Sequence, residues 1–155
     1  MTTSAVFRRS FDSIPEIFAL TEKTFAREGI DIRLLPTVDL ALEELFTNMV
    51  KYSTTTDAAV QVEIVAIEDG VEVTLTDYDV EPFDVTQAPD VDITLPIEQR
   101  RPGGLGLHLI RRLLDSIEYD YSKEKRRSRI TFRKTQSGSP ASRRVANKGE
   151  ENACD

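Results

Sequence analysis

The sequence predicts an α+β fold, a two-layer sandwich in which a mostly antiparallel mixed sheet carries helices on one face. Two segments rich in β-branched residues, 58–67 and 71–78, flank an Asp-Gly pair that is typical of a hairpin. Three other segments have apolar residues at helical spacing. The resulting order of elements, β-α-α-β-β-α-β-β, predicts a largely antiparallel sheet.

The chain begins with a predicted strand and a predicted helix. Alternation of polar and apolar residues over residues 5–11 indicates the strand. Asp12 or Ser13 is the expected N-cap of the helix, Pro15 lies in its first turn, and Gly29 ends it.

A second helix is predicted from an N-cap at Thr37 to about Tyr52. Its apolar residues recur at helical spacing, so one face should be buried. The expected buried residues are Leu42, Leu45, Phe46, Met49 and Val50.

A third helix and two strands are predicted near the end of the folded region. The helix should span about residues 105–116, and the strands residues 117–122 and 128–134. The residues expected on the buried face of this helix are Leu105, Leu109, Ile110, Leu113 and Leu114.

Two segments lack the periodicity of regular structure. Residues 79–103 include four prolines, and so long a loop in a compact domain is usually a functional lid or disordered. Residues 135–155 are polar with almost no large apolar side chain, which predicts disorder. We therefore expect one folded domain over residues 1–134 and a tail over residues 135–155.

Length, composition and charge narrow the class of protein. The 155 residues are 39% hydrophobic and 30% charged, as in one soluble domain. The net charge is -7, and residues 52–99 include no Lys or Arg, whereas a nucleic-acid-binding protein needs a dominant basic face. No apolar stretch approaches the ~20 residues of a membrane span, and no secretory signal is evident. We expect a cytoplasmic protein that binds neither nucleic acid nor membrane.

Glu44 and Asn48 form the first of three candidate site segments. Their spacing places the carboxylate and the amide on the same face of the second helix, one turn apart. An amide oxygen together with nucleotide phosphates could hold Mg²⁺, which prefers hard oxygen ligands, and Glu44 could then orient or deprotonate an attacking hydroxyl. The alternative is a polar pair that faces solvent.

Asp77 is the candidate in the second segment, residues 76–84, at the end of a predicted strand. A carboxylate held there can accept a hydrogen bond from the exocyclic amine of adenine, which would select that base by its donor. The alternative is an acidic turn without a ligand.

The third segment, residues 102–108, reads Pro-Gly-Gly-Leu-Gly-Leu-His and leads into the third predicted helix. Glycines at the start of a helix let the backbone approach phosphates, which the unpaired amides and the helix dipole attract. The segment is not a Walker loop, since no Gly-Lys-Ser/Thr follows, and it does not follow a strand as a dinucleotide fingerprint would. A helix start without a ligand is the alternative.

The order of these segments resembles the anti-sigma regulatory serine/threonine kinases of the Bergerat-fold, or GHKL histidine-kinase-like, ATPase superfamily over roughly residues 7–133. The resemblance implies the Bergerat fold, with ATP and Mg²⁺ as cofactors. It also implies that Glu44 is the general base, that Asn48 is the magnesium ligand and that Asp77 reads adenine. The residues that it assigns to nucleotide binding are Asn48, Asp77, Asp79, Gly103, Gly104, Leu105, Gly106 and Leu107.

The resemblance also assigns the glycines and the loop before them. Gly104 and Gly106 would contact phosphates, and residues 84–102 would form the ATP lid. The family usually has a glycine two residues after the adenine-reading Asp, and that position is Asp79 here. Asp77 is the preferred reader and Asp79 the alternative, because alignment on the following Pro-Phe-Asp implies one extra residue. A side chain in place of glycine could crowd the base and weaken nucleotide binding.

The partners implied by the resemblance are two proteins that would compete for this chain. The substrate would be a serine or threonine of a STAS-type anti-sigma factor antagonist, and the other partner a bacterial sigma factor that the chain sequesters. A homodimer is usual in the family.

Two rival hypotheses belong to other classes. Asp79 motivates a binding module of the same fold that regulates by protein–protein contact with weak or absent ATP turnover. A fragment of a sensor histidine kinase is the other, although the sequence shows no dimerisation helix and His108 lies beside the predicted lid.

Overall fold

Antiparallel strands form a single sheet in the computed structural model, which describes residues 1–52, 56–87 and 104–138. Its strands are β1 (Thr2–Phe7), β2 (Val60–Ile67), β3 (Gly70–Asp77), β4 (Ser116–Ser122) and β5 (Arg127–Thr135), and its helices are α1 (Ile14–Glu28), α2 (Leu35–Tyr52) and α3 (Gly104–Leu113). The order across the sheet is β1-β2-β3-β5-β4, and each described pair is antiparallel. The predicted α+β fold is confirmed.

The β2–β3 hairpin is confirmed, but its turn differs in detail from the predicted one. Ile67 pairs with Gly70, so Glu68 and Asp69 are the two turn residues, and Asp69 takes the positive φ of 60°. Gly70 is instead the first residue of β3, where a Cβ would collide with the carbonyl oxygen of Lys134 on β5. Glycine is thus needed there for the close approach of two strands.

The hydrophobic core lies between the sheet and the helices. Alternate residues of β2 and β3 point into it, because successive side chains of a strand face opposite sides. The buried residues of these two strands are Val60, Val62, Ile64, Val71, Val73 and Leu75. The same alternation carries Asp77, at the end of β3, to the face that the helices cover.

The first helix agrees with the prediction at both ends, whereas the first strand is shifted toward the N-terminus. The strand ends at Phe7 and starts at Thr2, earlier than expected. Ser13 is the N-cap of α1, with a proline in the first helical turn. Gly29 ends α1 in the left-handed conformation at φ 66°, which costs glycine little.

The predicted N-cap at Thr37 is wrong, since α2 begins two residues earlier. A short 3-10 helix, Ile32–Leu34, leads straight into it. The cap is Asp31, whose carboxylate accepts a hydrogen bond from the backbone N–H of Arg33 at 2.9 Å. Because the 3-10 helix runs directly into α2, Thr37 lies inside the helical segment rather than at its start.

The buried face of α3 also differs from the predicted one. Leu107, Ile110 and Leu114 are buried, whereas Leu109 and Leu113 are 44% and 40% exposed. The helix ends at Leu113, because the chain turns into β4. A leucine-rich helix offers two neighbouring apolar faces, and periodicity alone did not decide which of them meets the core.

The predicted lid and tail lie mostly outside the described residues. The structure does not describe residues 88–103 or residues 139–155. Of the predicted tail, β5 includes Thr135. Disorder of the tail and the lid role therefore stay predictions. Among the described helices, none combines the length and the apolar character that a bilayer crossing requires.

Candidate functional site

Asn48 lies on the buried side of α2, and Glu44, one turn before it, is half-buried. Asn48 follows the buried Leu45 by three residues and is itself only 5% exposed. Its Nδ2 has no hydrogen-bond partner among the described residues. The amide lies beside the Glu44 carboxylate and in the cavity wall, so an acceptor on a ligand in the cavity could satisfy this donor.

The carboxylate of Glu44 lies against Gly106 in the first turns of α3. A Cβ on Gly106 would overlap the carboxyl atoms of Glu44, so only glycine permits this contact. Glu44 Oε1 is buried and lacks a hydrogen-bond partner within the described chain. Burial raises the pKa of Glu44, and the positive charge of Lys51 only partly opposes this. The first and third sequence segments thus meet in space.

Asp77 is buried at the end of β3 and forms an ion pair with Arg9. The residue is 1% exposed, and the guanidinium of Arg9 donates to both carboxylate oxygens, with the Nη1–Oδ2 bond at 3.4 Å. Burial raises the pKa of Asp77, whereas the guanidinium and the Tyr78 backbone N–H favour the ionised form. Arg9 was not predicted from the sequence, because no local sequence pattern identifies an ion-pair partner that lies so far away along the chain.

A cavity of about 290 Å³ contains both Asn48 and Asp77 in its wall. The apolar side chains beside them come from α2, β5 and the loop after β3, and include Leu45, Met49, Tyr52, Val80, Phe83 and Ile130. Two of these rings, Tyr52 and Phe83, stack with centroids 6.1 Å apart. A mostly apolar cleft near the lower end of the usual ~300–1,000 Å³, with few polar groups, suits a flat aromatic base.

Asp79 is turned away from this cavity. Its φ of 56° is the left-handed conformation that glycine adopts most readily, which explains in physical terms why glycine suits this position. The side chain is largely exposed and pairs with Arg126 at 3.2 Å. Asp77 lines the cavity and Asp79 does not, so the two candidates for adenine recognition differ in position.

The loop after β3 is held in place by the β4–β5 hairpin. The Tyr121 hydroxyl donates to the Val80 carbonyl at 2.7 Å, and the Tyr119 hydroxyl accepts from the Phe83 N–H at 3.0 Å. The Val80 N–H also donates to the backbone carbonyl of Arg126 at 2.9 Å. These bonds fix one wall of the cavity.

The remaining predicted residues belong to the glycine segment. Gly103 lies outside the described residues, and α3 begins at Gly104. The side chain of Leu105 also falls outside the description. Leu107 is buried in the hydrophobic core, which leaves only its backbone for a ligand.

A magnesium ion in this site would need oxygens from a nucleotide. The described residues include no group of three or more His, Cys, Asp or Glu side chains suited to a metal. The buried amide of Asn48 fits the alternative arrangement, in which Mg²⁺ takes one side-chain oxygen and otherwise keeps phosphate and water ligands.

A family model for the histidine kinase-like ATPase domain matches residues 7–134, which is most of the chain. The chain belongs to this family. The matched region of this ATPase domain includes α2, β3 and α3, and the superfamily part of the resemblance is confirmed. No match was found among curated proteins.

Proposed function

We propose that this ATPase domain is a magnesium-dependent serine/threonine kinase of the anti-sigma type. It would bind ATP, phosphorylate a STAS-domain antagonist and sequester a sigma factor. The observation that carries the proposal is the meeting of Glu44 with Gly106 while Asn48, one turn away, lines the cavity with Asp77. One bound nucleotide would then meet Glu44 as the general base, Asn48 as the metal ligand and Asp77 as the residue that recognises adenine.

The cavity would take the adenine, with Asp77 accepting a hydrogen bond from its amine. The phosphates would extend toward the start of α3, where backbone N–H groups and the helix dipole favour negative charge. Mg²⁺, held by the Asn48 side-chain oxygen and phosphate oxygens, would neutralise charge on the transferred group.

Glu44 would act on the incoming protein substrate. Its carboxylate takes the proton of a serine or threonine hydroxyl, whose oxygen forms a bond to the γ-phosphorus. The bond from that phosphorus to the bridging oxygen breaks, and ADP leaves. Burial that raises the pKa of Glu44 supports this role, because a base works best with a pKa closer to the operating pH.

The proposed partners rest on the resemblance of the three sequence segments. The substrate would be a STAS-domain antagonist, the competing ligand a sigma factor, and the assembly a homodimer. We also propose a cytoplasmic location without nucleic-acid or membrane contact. The net charge of -7 supports the absence of nucleic-acid contact.

Phosphotransfer to a candidate STAS-domain antagonist tests the proposal. The protein is incubated with Mg²⁺, γ-labelled ATP and that antagonist, with Glu44→Gln as the matched control. We expect acid-stable phosphate on a serine or threonine of the antagonist, with transfer absent in the control.

Two other results would support the rival functions. A tight complex with the antagonist or the sigma factor, without label transfer, would identify a binding module that no longer turns over ATP. Acid-labile phosphate on His108 would instead indicate histidine-kinase chemistry.

A further inference from the structure

The guanidinium of Arg9 is fixed by partners from three parts of the fold. Besides Asp77, it donates to the backbone carbonyl of Met49 at 2.8 Å and to that of Ala58 at 3.2 Å. Met49 lies in the last turn of α2, where carbonyls lack helical partners. The side chain is 6% exposed. Arg9 is therefore a built-in part of the site rather than a mobile surface cation.

Arg9 contacts Asp77 without lining the cavity itself. The cavity wall includes Asp77 and Met49, whereas Arg9 does not contribute to it. A carboxylate has about four acceptor positions, of which two are used by Arg9 and one by the Tyr78 N–H. About one acceptor position of Asp77 is therefore left for a hydrogen bond from a ligand in the cavity.

We propose that Arg9 is a positioning residue for base recognition: it holds the Asp77 carboxylate ionised and oriented, so that the site accepts a purine with an amine at position 6 and rejects one with a carbonyl there. This inference rests on the proposed nucleotide-binding function of the cavity.

The charge state of Asp77 decides which group the site recognises. An ionised carboxylate only accepts hydrogen bonds, so it pairs with an amine and repels a carbonyl oxygen. A protonated carboxyl can also donate, and would tolerate the carbonyl. Burial at the end of β3 raises the pKa of Asp77, and the paired guanidinium opposes that effect. Without Arg9, the pKa of Asp77 would rise further and the carboxylate would lose the guanidinium that orients it.

The test compares binding of ATP and inosine triphosphate, which carries a carbonyl at position 6. Dissociation constants with Mg²⁺ are measured by calorimetry for the full chain and for Arg9→Met, Arg9→Lys and Arg8→Met. Arg8 is the neighbouring exposed arginine and serves as the matched control. Circular dichroism melting verifies that each variant is folded.

We expect the unsubstituted protein to prefer ATP at least about tenfold, the value of one well-placed hydrogen bond. Arg9→Met should bring the ratio close to one, mainly by weakening ATP. Arg9→Lys keeps a charge but lacks the planar fork, so it should retain part of the preference. Arg8→Met should leave the ratio unchanged. If Arg9→Met does not fold, a reduced ratio in folded Arg9→Lys still supports the proposal, and an unchanged one overturns it.

The following results would overturn the inference. An equal loss of both nucleotides in Arg9→Met would mean that Arg9 only supports the fold. Tighter ATP binding would mean that Arg9 competes with adenine for Asp77. A protein that binds neither nucleotide would refute the proposed function itself, whereas unaltered selectivity in a folded Arg9→Met would refute this inference alone.

Discussion

Glu44 combines two properties that oppose each other in a folded protein. Its carboxylate is packed against Gly106, and this burial raises its pKa because the charged form is disfavoured away from water. A raised pKa suits a general base but leaves an unfavourable charge in the native state at neutral pH. Activity and stability should therefore respond in opposite directions when this residue is neutralised.

Glu44→Gln should lower phosphotransfer about 10²–10⁴-fold, the usual contribution of a general base, and leave ATP affinity nearly unchanged. The melting temperature at neutral pH should stay the same or rise. A pKa that is higher in the folded state gives stability that is complete below the unfolded value and is lost as pH rises through the folded value. Glutamine carries no charge, so the Gln variant does not lose stability in this way as pH rises.

The measurements are a pH–rate profile and thermal melts of both proteins. Phosphotransfer by the unsubstituted protein should fall as pH drops through the pKa of Glu44, which burial raises above its ordinary value. Full activity in Glu44→Gln would exclude this residue as the base.

Gly106→Ala should impair phosphotransfer at least tenfold while α3 still forms. The added methyl overlaps the Glu44 carboxylate and must push it aside, and small displacements of catalytic groups are costly. Alanine is about 1 kcal/mol better than glycine inside a helix, so weakened helix formation cannot account for the loss. A steady-state assay with a circular dichroism spectrum checks this, and unimpaired turnover would contradict it.

At the scale of elements, the site depends on how the β4–β5 hairpin holds the loop after β3. Tyr119 and Tyr121 bind the backbone of that loop, and Arg126 pairs with Asp79 and Glu81 on its exposed side. The backbone bonds form one wall of the cavity, whereas the exposed ion pairs are worth little in water. The loop should therefore tolerate change at Asp79.

Asp79→Gly is expected to alter ATP affinity less than about threefold. The side chain is turned away from the cavity, glycine fits φ 56°, and an exposed ion pair contributes only about 0–1 kcal/mol. Calorimetry of the two proteins provides the comparison. A large gain in affinity would mean that Asp79 does crowd the base, as the sequence alone suggested.

The elements themselves were largely predictable, because alternation in β2 and β3 and the leucine spacing of α2 are local signals. The start of α2 and the buried face of α3 were not, since tertiary contacts choose between near-equal local options. The site residues also differ in how well the sequence predicts them. Glu44 and Asn48 stand one turn apart in the sequence, but the Arg9–Asp77 pair joins residues 68 positions apart and leaves no local mark.

At the scale of the whole molecule, ligand binding should appear as added stability. A ligand that binds only the folded state at about 100 times its dissociation constant stabilises by about 2.7 kcal/mol. ATP with Mg²⁺ should therefore raise the melting temperature by several degrees, and chelation of the metal should remove most of this shift.

Asn48→Ala should eliminate the magnesium-dependent part of the shift and keep the ligand-free melting temperature near that of the unsubstituted protein. Asn48 is buried with a polar atom that lacks a partner in the described structure, so its removal relieves one cost while it creates a small cavity. An ATP-induced shift of full size in this variant would argue against the metal role.

The walls of the cavity come from residues as distant along the chain as Leu45 and Ile130. Its last wall is supplied by β5, which pairs with β3 only after the intervening segment has been synthesised. A nascent chain that ends before β5 thus lacks one wall of the proposed nucleotide site. Protection by ATP against proteolysis should set in only when nearly the whole domain has left the ribosome.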